Sequence, residues 1–352
     1  MQTPVAFLIF NRPDLTEQVF QEIAKAQPPK LFVIADGPRP HQLGERDKCA
    51  AARAVVERVD WDCEVVKNYS DVNLGCGVRV ATGLRWVFEQ TEEAIILEDD
   101  CVPHPTFFRF CEELLDRYRD DERVMQISGG NFHSGLKWGP YDYFFSRHSN
   151  VWGWATWRRA WRFYDIRVES WPQLRDTRWL LEIVGDPQVA HFLGDQFEKA
   201  NQSESRWCTW DYQWTFACWM QKGLCIRPNS GLITNVGCRE DATHTRWSGN
   251  KFAHIPLEEM AFPLQHPPHV IPYEEADDVY VREVFSQDVP TPEKLSHRLG
   301  NKLRRTYAAT IPEPVRLRMR RLRGKTDGDV APNRMRWVNP ANAPTSGVNV
   351  NS

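Results

Sequence analysis

Five short apolar runs, each broken by polar residues and most followed by a segment of helical period, occupy the first 130 residues. The first is Val5-Ala6-Phe7-Leu8-Ile9-Phe10, continuous and therefore suited to a strand covered on both faces. Leu31 to Ala35, Cys63 to Val66, Ala94 to Leu97 and Val124 to Ser128 repeat the pattern. Between them lie a helix carrying Leu15, Val19, Ile23 and Ala26 with Asp14 as candidate N-cap, a charged helix from Glu45 to Val59, one from Gly77 to Phe88 and one from Phe107 to Tyr118. This alternation predicts an α/β fold of βαβ units with a mostly parallel sheet flanked by helices. Ligands of such sheets bind outside the carboxyl ends of the strands. Arg12, Asp36 and Glu98-Asp99-Asp100, which end three of the runs, therefore point to one crevice.

Beyond residue 130 the alternation stops. Aromatic-rich helices are predicted at Trp157 to Tyr164 and Asp211 to Lys222, with short strands at Tyr143 to Ser146, Cys225 to Pro228 and Leu232 to Asn235. Residues 1–275 read as one catalytic domain, with a nucleotide-binding half (1–130) and an acceptor-side half (131–275). Glu274 to Asp278 reads as an acidic joint, followed by a basic helical extension over 276–325 and a disordered end over 326–352. The basic residues Arg316, Arg318, Arg320 and Arg321 alternate with Leu317, Met319 and Leu322, a pattern that suits either peripheral contact with anionic lipid or a solvated charged helix.

A net charge of -3 argues against a nucleic-acid binder. No apolar run approaches the roughly 18 residues that span a bilayer, and the N-terminus lacks the pattern of a signal peptide. Nine cysteines without a Cys-x-x-Cys pair read as free buried thiols in a reducing compartment. The expected location is cytoplasmic.

Three clustered acids at the end of a buried strand repel one another unless a cation offsets them. Mg²⁺ or Mn²⁺, which take oxygen ligands and bridge carboxylates to substrate phosphates, would do so; capping of the next helix is the plainer alternative. Asp36 suits a hydrogen bond to a base or ribose, or an Asx turn before Gly37-Pro38. Arg12 suits a phosphate or base, or a solvated surface charge. Asn73-Leu74-Gly75-Cys76-Gly77-Val78-Arg79 sets a glycine-rich turn before a helix, with Arg79 within reach of a nucleotide or phosphate, but it matches no dinucleotide or P-loop pattern. Asp211, among Trp210, Tyr212 and Trp214, suits a partly desolvated general base, an N-cap, or both. Trp152-Gly153-Trp154 reads as an aromatic lid over a sugar or as core packing, and His244 as a surface-loop residue or a ligand and phosphate partner.

Taken in order, these motifs resemble the GT-A-fold glycosyltransferases. The amino half is similar to family 2 enzymes, and about residues 5–250 resemble the N-acetylglucosaminyltransferase I family. The likeness rests on Glu98-Asp99-Asp100, Pro105-Thr106-Phe107-Phe108, Trp152-Gly153-Trp154, Trp210-Asp211 and Arg227-Pro228. It implies Asp100 as metal ligand, Glu98 and Asp99 against the nucleotide, Arg12 and Asp36 at its uridine end, and Asp211 as the base of an inverting transfer; Arg79 and Trp154, from the reading of their own segments, join the candidates around the nucleotide sugar. One departure concerns Trp210-Asp211-Tyr212-Gln213-Trp214, a residue longer than the family's Trp-Asp-Asp-Trp and with a single acid. The expected activity is transfer of a hexosyl or N-acetylhexosaminyl group from a UDP-sugar to a glycan or lipid-linked acceptor. Two rivals are a sugar-1-phosphate nucleotidyltransferase and a binding module that has kept the fold without catalysis.

Overall fold

The computed structural model describes residues 1–203, 207, 209–238, 252 and 255–289, so His244, the basic extension beyond Val289 and the region from 326 on lie outside the described residues. Four parallel strands form one side of the sheet: β1 (Val5–Ile9), β2 (Lys30–Ala35), β3 (Glu64–Tyr69) and β4 (Glu93–Glu98). They are linked by the helices α1 (Pro13–Ala26), α2 (Glu45–Val55) and α3 (Cys76–Phe88). After a short strand β5 (Cys101–Pro103) come α4 (Thr106–Arg117), β6 (Val124–Ser128), β7 (Tyr143–Ser146) and β8 (Trp154–Trp157). A helical layer then runs through α5 (Arg158–Trp161), α6 (Trp171–Leu174), α7 (Trp179–Val184), α8 (Pro187–Gln202) and α9 (Asp211–Met220). The chain returns as β9 (Leu224–Pro228) and β10 (Ile233–Asn235) and ends in α10 (Glu274–Tyr280).

The main sheet has eight strands in the order β3-β2-β1-β4-β8-β6-β9-β7, mixed but mostly parallel, so the chain has an α/β fold. Its apolar runs alternate between two faces. Val5, Phe7 and Ile9 pack with Val19 and Phe20 of α1 and with α4, whereas Ala6 and Leu8 pack with Val80, Leu84 and Val87 of α3. This two-sided burial is why β1, β2 and β4 read as continuous apolar runs.

The structure shifts several expected boundaries. Arg12, not Asp14, precedes the first turn of α1; Pro13 opens the helix and Asp14 faces its positive end. The charged helix stops at Val55 and tightens into a single 3₁₀ turn through Arg58. Trp154 to Trp157, expected as lid and helix start, is an antiparallel strand in the middle of the sheet, between β4 and β6. The acidic joint is α10, an integral helix: buried Asp277 accepts from Ser146 Oγ at 2.6 Å and from the Arg147 amide at 3.1 Å. The compact unit extends through Val289. The eight described cysteines carry no disulfide, and no described helix is long and apolar enough to cross a membrane.

Candidate functional site

The carboxyl ends of β1, β2 and β4 bring Arg12, Asp36 and the Glu98-Asp99-Asp100 triplet to one edge of the sheet. The cation that offsets the triplet is within the chain. One guanidinium nitrogen of Arg12 bonds Asp99 Oδ1 and, at 2.9 Å, Asp100 Oδ2, and the Phe10 amide donates to Asp99 Oδ2 at 3.3 Å. Burial works against the Arg12 charge, but the two carboxylates hold its pKa above the ordinary value. Arg12 is thus neither a solvated surface charge nor a group held ready for a phosphate alone.

Burial raises the Asp99 carboxyl to about 6, with Arg12 pulling the other way. At Glu98, burial and then the repulsion of Asp100 and Asp99 push the carboxyl up to about 8, against the pull of Arg12. The Glu98 carboxyl is thus shifted toward its protonated form, where the sequence suggests a third full negative charge.

Asp36 is buried and fully engaged. Its Oδ1 accepts from the amides of Gly37 (2.8 Å) and Leu74 (2.9 Å), and its Oδ2 from Asn73 Nδ2 and the Gly75 amide, both at 3.0 Å. The carboxylate pins the glycine-rich turn that leads into α3. This supports the turn-forming alternative and leaves Asp36 a positioning residue for the crevice, rather than a group open to ribose. Arg79 is also turned inward: its guanidinium bonds the backbone and, at 2.8 Å, the side-chain oxygen of Asn68 on β3. Burial lowers its pKa, with Asp36 the opposing charge.

Asp211 opens α9, more than a hundred residues after the triplet, yet its charge adds to the upward push on Glu98, on Cys76 and on Tyr164. Its segment therefore lies beside the start of α3 and near the end of β4. Two contacts hold its segment there: Tyr164 Oη donates to the Trp210 carbonyl at 3.2 Å, and the carbonyls of Trp207 and Thr209 lie against Gly77 at the start of α3, where a Cβ would come within 2.3 Å. Trp210 rather than Asp211 occupies the cap position, and no side-chain cap bond forms there.

Sequence reading missed the fourth wall of the crevice, the end of β10. Asn235 Nδ2 donates to Asp100 Oδ1 at 3.3 Å, the Val236 amide donates to the Asp100 carbonyl at 2.9 Å, and Gly237 lies so close that a Cβ would come within 2.1 Å of Asp100 Oδ2. The pairing of β10 with β5, directly after the triplet, creates these contacts. A three-residue strand carries too weak a signal to predict that pairing.

Trp154 does not line the crevice. It is fully buried in β8, where its ring stacks on Trp210 (5.8 Å between centroids) and contacts Trp161 and Trp214. The adjoining Gly153 carbonyl accepts from the Gly129 amide at 2.8 Å, so the stretch is core and not a lid. Phe107 and Phe108 are core residues of α4, and Arg227 is wholly buried in β9.

The donor set available to a divalent ion is all oxygen, the chemistry that suits Mg²⁺ or Mn²⁺. Among the described residues, however, no three His, Cys, Asp or Glu side chains form a ready metal cage, and both Asp100 oxygens already have protein partners. A cation fits only as one that takes a carboxylate or two from the triplet and fills its remaining positions with substrate phosphate and water.

No protein-family model matches the sequence, and no curated protein matches it. Among solved structures, S. aureus TarS 1-349 is 12% identical, with a TM-score of 0.31 over 47% of this chain and 50% of that chain. This chain thus spans half the length of that structure. UDP-glucose pyrophosphorylase complexed with UDP-glucose is 11% identical, with a TM-score of 0.33 over 65% of this chain and 91% of that chain.

Proposed function

We propose that the protein is a glycosyltransferase that draws on a nucleotide-diphosphate sugar, a UDP-sugar in the first instance, and passes the sugar to a hydroxyl of a glycan or lipid-linked acceptor with inversion. The reading rests above all on Asp211 lying close enough to the triplet at the carboxyl end of β4 for its charge to act on Glu98. In it, Asp211 removes the acceptor proton, the freed oxygen attacks the anomeric carbon, and the nucleoside diphosphate departs. Asp100 would hold a divalent ion, whose chemistry is to neutralise the charge developing on the diphosphate. Arg12 holds Asp99 and Asp100 in place beside Glu98. The basic residues beyond Val289 would bring the enzyme to anionic lipid, a role that liposome sedimentation at low and high salt tests.

A sugar-1-phosphate nucleotidyltransferase needs a glycine-rich, basic loop after the first strand. Here only Phe10, Asn11 and Arg12 separate β1 from α1, and Arg12 is committed to the triplet. The deciding experiment is UDP-sugar turnover with and without Mn²⁺. Asp211→Asn should lower kcat about 100- to 10,000-fold, the range of a lost general base. Asp100→Ala should abolish the response to Mn²⁺; metal-dependent turnover that survives it refutes the site. Nucleotide-sugar synthesis from UTP and a sugar phosphate would favour the rival.

A further inference from the structure

Glycine weakens a helix relative to alanine, yet α3 carries Gly77 in its first turn. Backbone freedom does not account for it. Gly75, just before the helix, sits at φ +80°, in the left-handed region that favours glycine; Gly77 does not. Space is the reason. A Cβ at position 77 would come within 2.3 Å of the Trp207 carbonyl oxygen and 2.7 Å of the Thr209 carbonyl oxygen. Both atoms belong to the backbone, which has no rotamer to turn aside. The chain that leads into Asp211 therefore lies in a notch at the start of α3 that only a missing side chain leaves open.

The two sides of the notch are held unequally. On the α3 side, Asp36 accepts from the Leu74 and Gly75 amides at 2.9 and 3.0 Å, and Arg79 donates to Asn68 of β3 at 2.8 Å, so the helix start is tied to the ends of β2 and β3. Opposite, the Trp207 indole N–H donates to the Ala200 carbonyl at 2.9 Å, Gln213 Nε2 to the Thr209 carbonyl at 3.0 Å and Tyr164 Oη to the Trp210 carbonyl at 3.2 Å. Those three are neutral bonds, whereas the bonds of Asp36 and Arg79 are charge-assisted and stronger. A side chain at position 77 therefore displaces the two carbonyls, by about 1 Å to restore ordinary contact, and leaves the turn in place. Asp211 follows Trp210 directly and moves with it. We infer that Gly77 is a positioning residue for the proposed transfer, on which this role depends: it is the notch that sets where the base Asp211 stands relative to the triplet. Position 77 thus governs kcat and not the binding of the diphosphate, because the turn is pinned from its far side and the carbonyls before Asp211 are not.

Turnover is read in the full-length protein as UDP released from UDP-glucose or UDP-N-acetylglucosamine, whichever the wild type cleaves in Mn²⁺, and UDP affinity by calorimetry in the same buffer. Gly77→Ala should lower kcat about 100-fold, the scale of a misplaced reacting group, with the UDP Kd of the wild type. Combined with Asp211→Asn it should be no slower than Asp211→Asn alone, because a base already absent cannot be misplaced. A packing role by itself would lower the melting temperature and multiply with Asp211→Asn instead. Wild-type kcat in Gly77→Ala, losses that multiply, or a weakened UDP Kd each overturn the positioning role. Should Gly77→Ala fail to fold, Tyr164→Phe, which removes the hydroxyl from the Trp210 carbonyl, should lower kcat about 10-fold with the same UDP Kd and the same lack of additivity. Wild-type kcat there overturns the role equally. Unimpaired turnover by Asp211→Asn, or cleavage of neither UDP-sugar by the wild type, refutes the proposed function and the positioning role with it. A slow Asp211→Asn beside an unimpaired Gly77→Ala refutes the positioning role alone.

Discussion

Single side chains in this protein often do something other than their residue type suggests. Asp36 was legible as important because it ends a strand before Gly-Pro, but its role depends on four donors, three of them on a turn some forty positions away. Asp36→Ala should therefore cost about 2–3 kcal/mol of stability in urea melts, the scale of buried donors left unmatched. A residue that met only ribose would leave the melt unchanged and alter donor affinity alone. Gly237 is the converse case, silent in sequence and critical in space. Gly237→Ala places a methyl group against Asp100 Oδ2, so the carboxylate must shift. The melting temperature should hardly change while kcat/KM for the donor falls about 10- to 100-fold, the scale of a misplaced reacting group. Unaltered kinetics would place Asp100 outside the reaction.

Elements were legible in proportion to the regularity of their burial. β1, β2 and β4 are covered on both faces and announce themselves as apolar runs, and α1 shows its helical period through Leu15, Val19 and Ile23. β3 runs on through Lys67 and Asn68, polar residues that an edge strand tolerates, and so its end was missed. β8 misled for a different reason. Trp-Ala-Thr-Trp next to a glycine resembles a sugar platform, and only the partners on either side, β4 and β6, reveal a central strand whose Trp154 faces α3 and α9 and whose Trp157 faces α4. Trp154→Ala should accordingly cost about 3–5 kcal/mol as a core cavity. A lid residue would instead leave the denaturation midpoint alone and raise KM.

At the scale of the whole molecule, two buried histidines couple folding to pH. His133 and His148 titrate near 6.5 when unfolded and are depressed to about 3 in the fold, first by burial and then by Arg227. Between those values the unfolded chain binds their protons and the folded chain does not, so stability is complete above about pH 6.5 and declines as pH falls toward 3. Each histidine should contribute a slope of ~1.4 kcal/mol per pH unit. His148→Phe should remove about half of the effect, and a flat profile from pH 6 to 4 (roughly the middle of that window) would contradict the burial of both rings. The sequence by itself determined the α/β alternation, the strand ends that face one crevice and the acid triplet there, because local period and the interruption of apolar runs are properties of neighbours along the chain. Tertiary structure alone decided that Arg12 is the triplet's counter-charge, that Asp36 and Arg79 are spent on the fold, that Asp211 lies near enough to act on Glu98 and that Asn235 and Gly237 enclose Asp100. Each of those is a contact between segments distant in sequence, and whether a charge is free or matched depends on what the fold packs beside it.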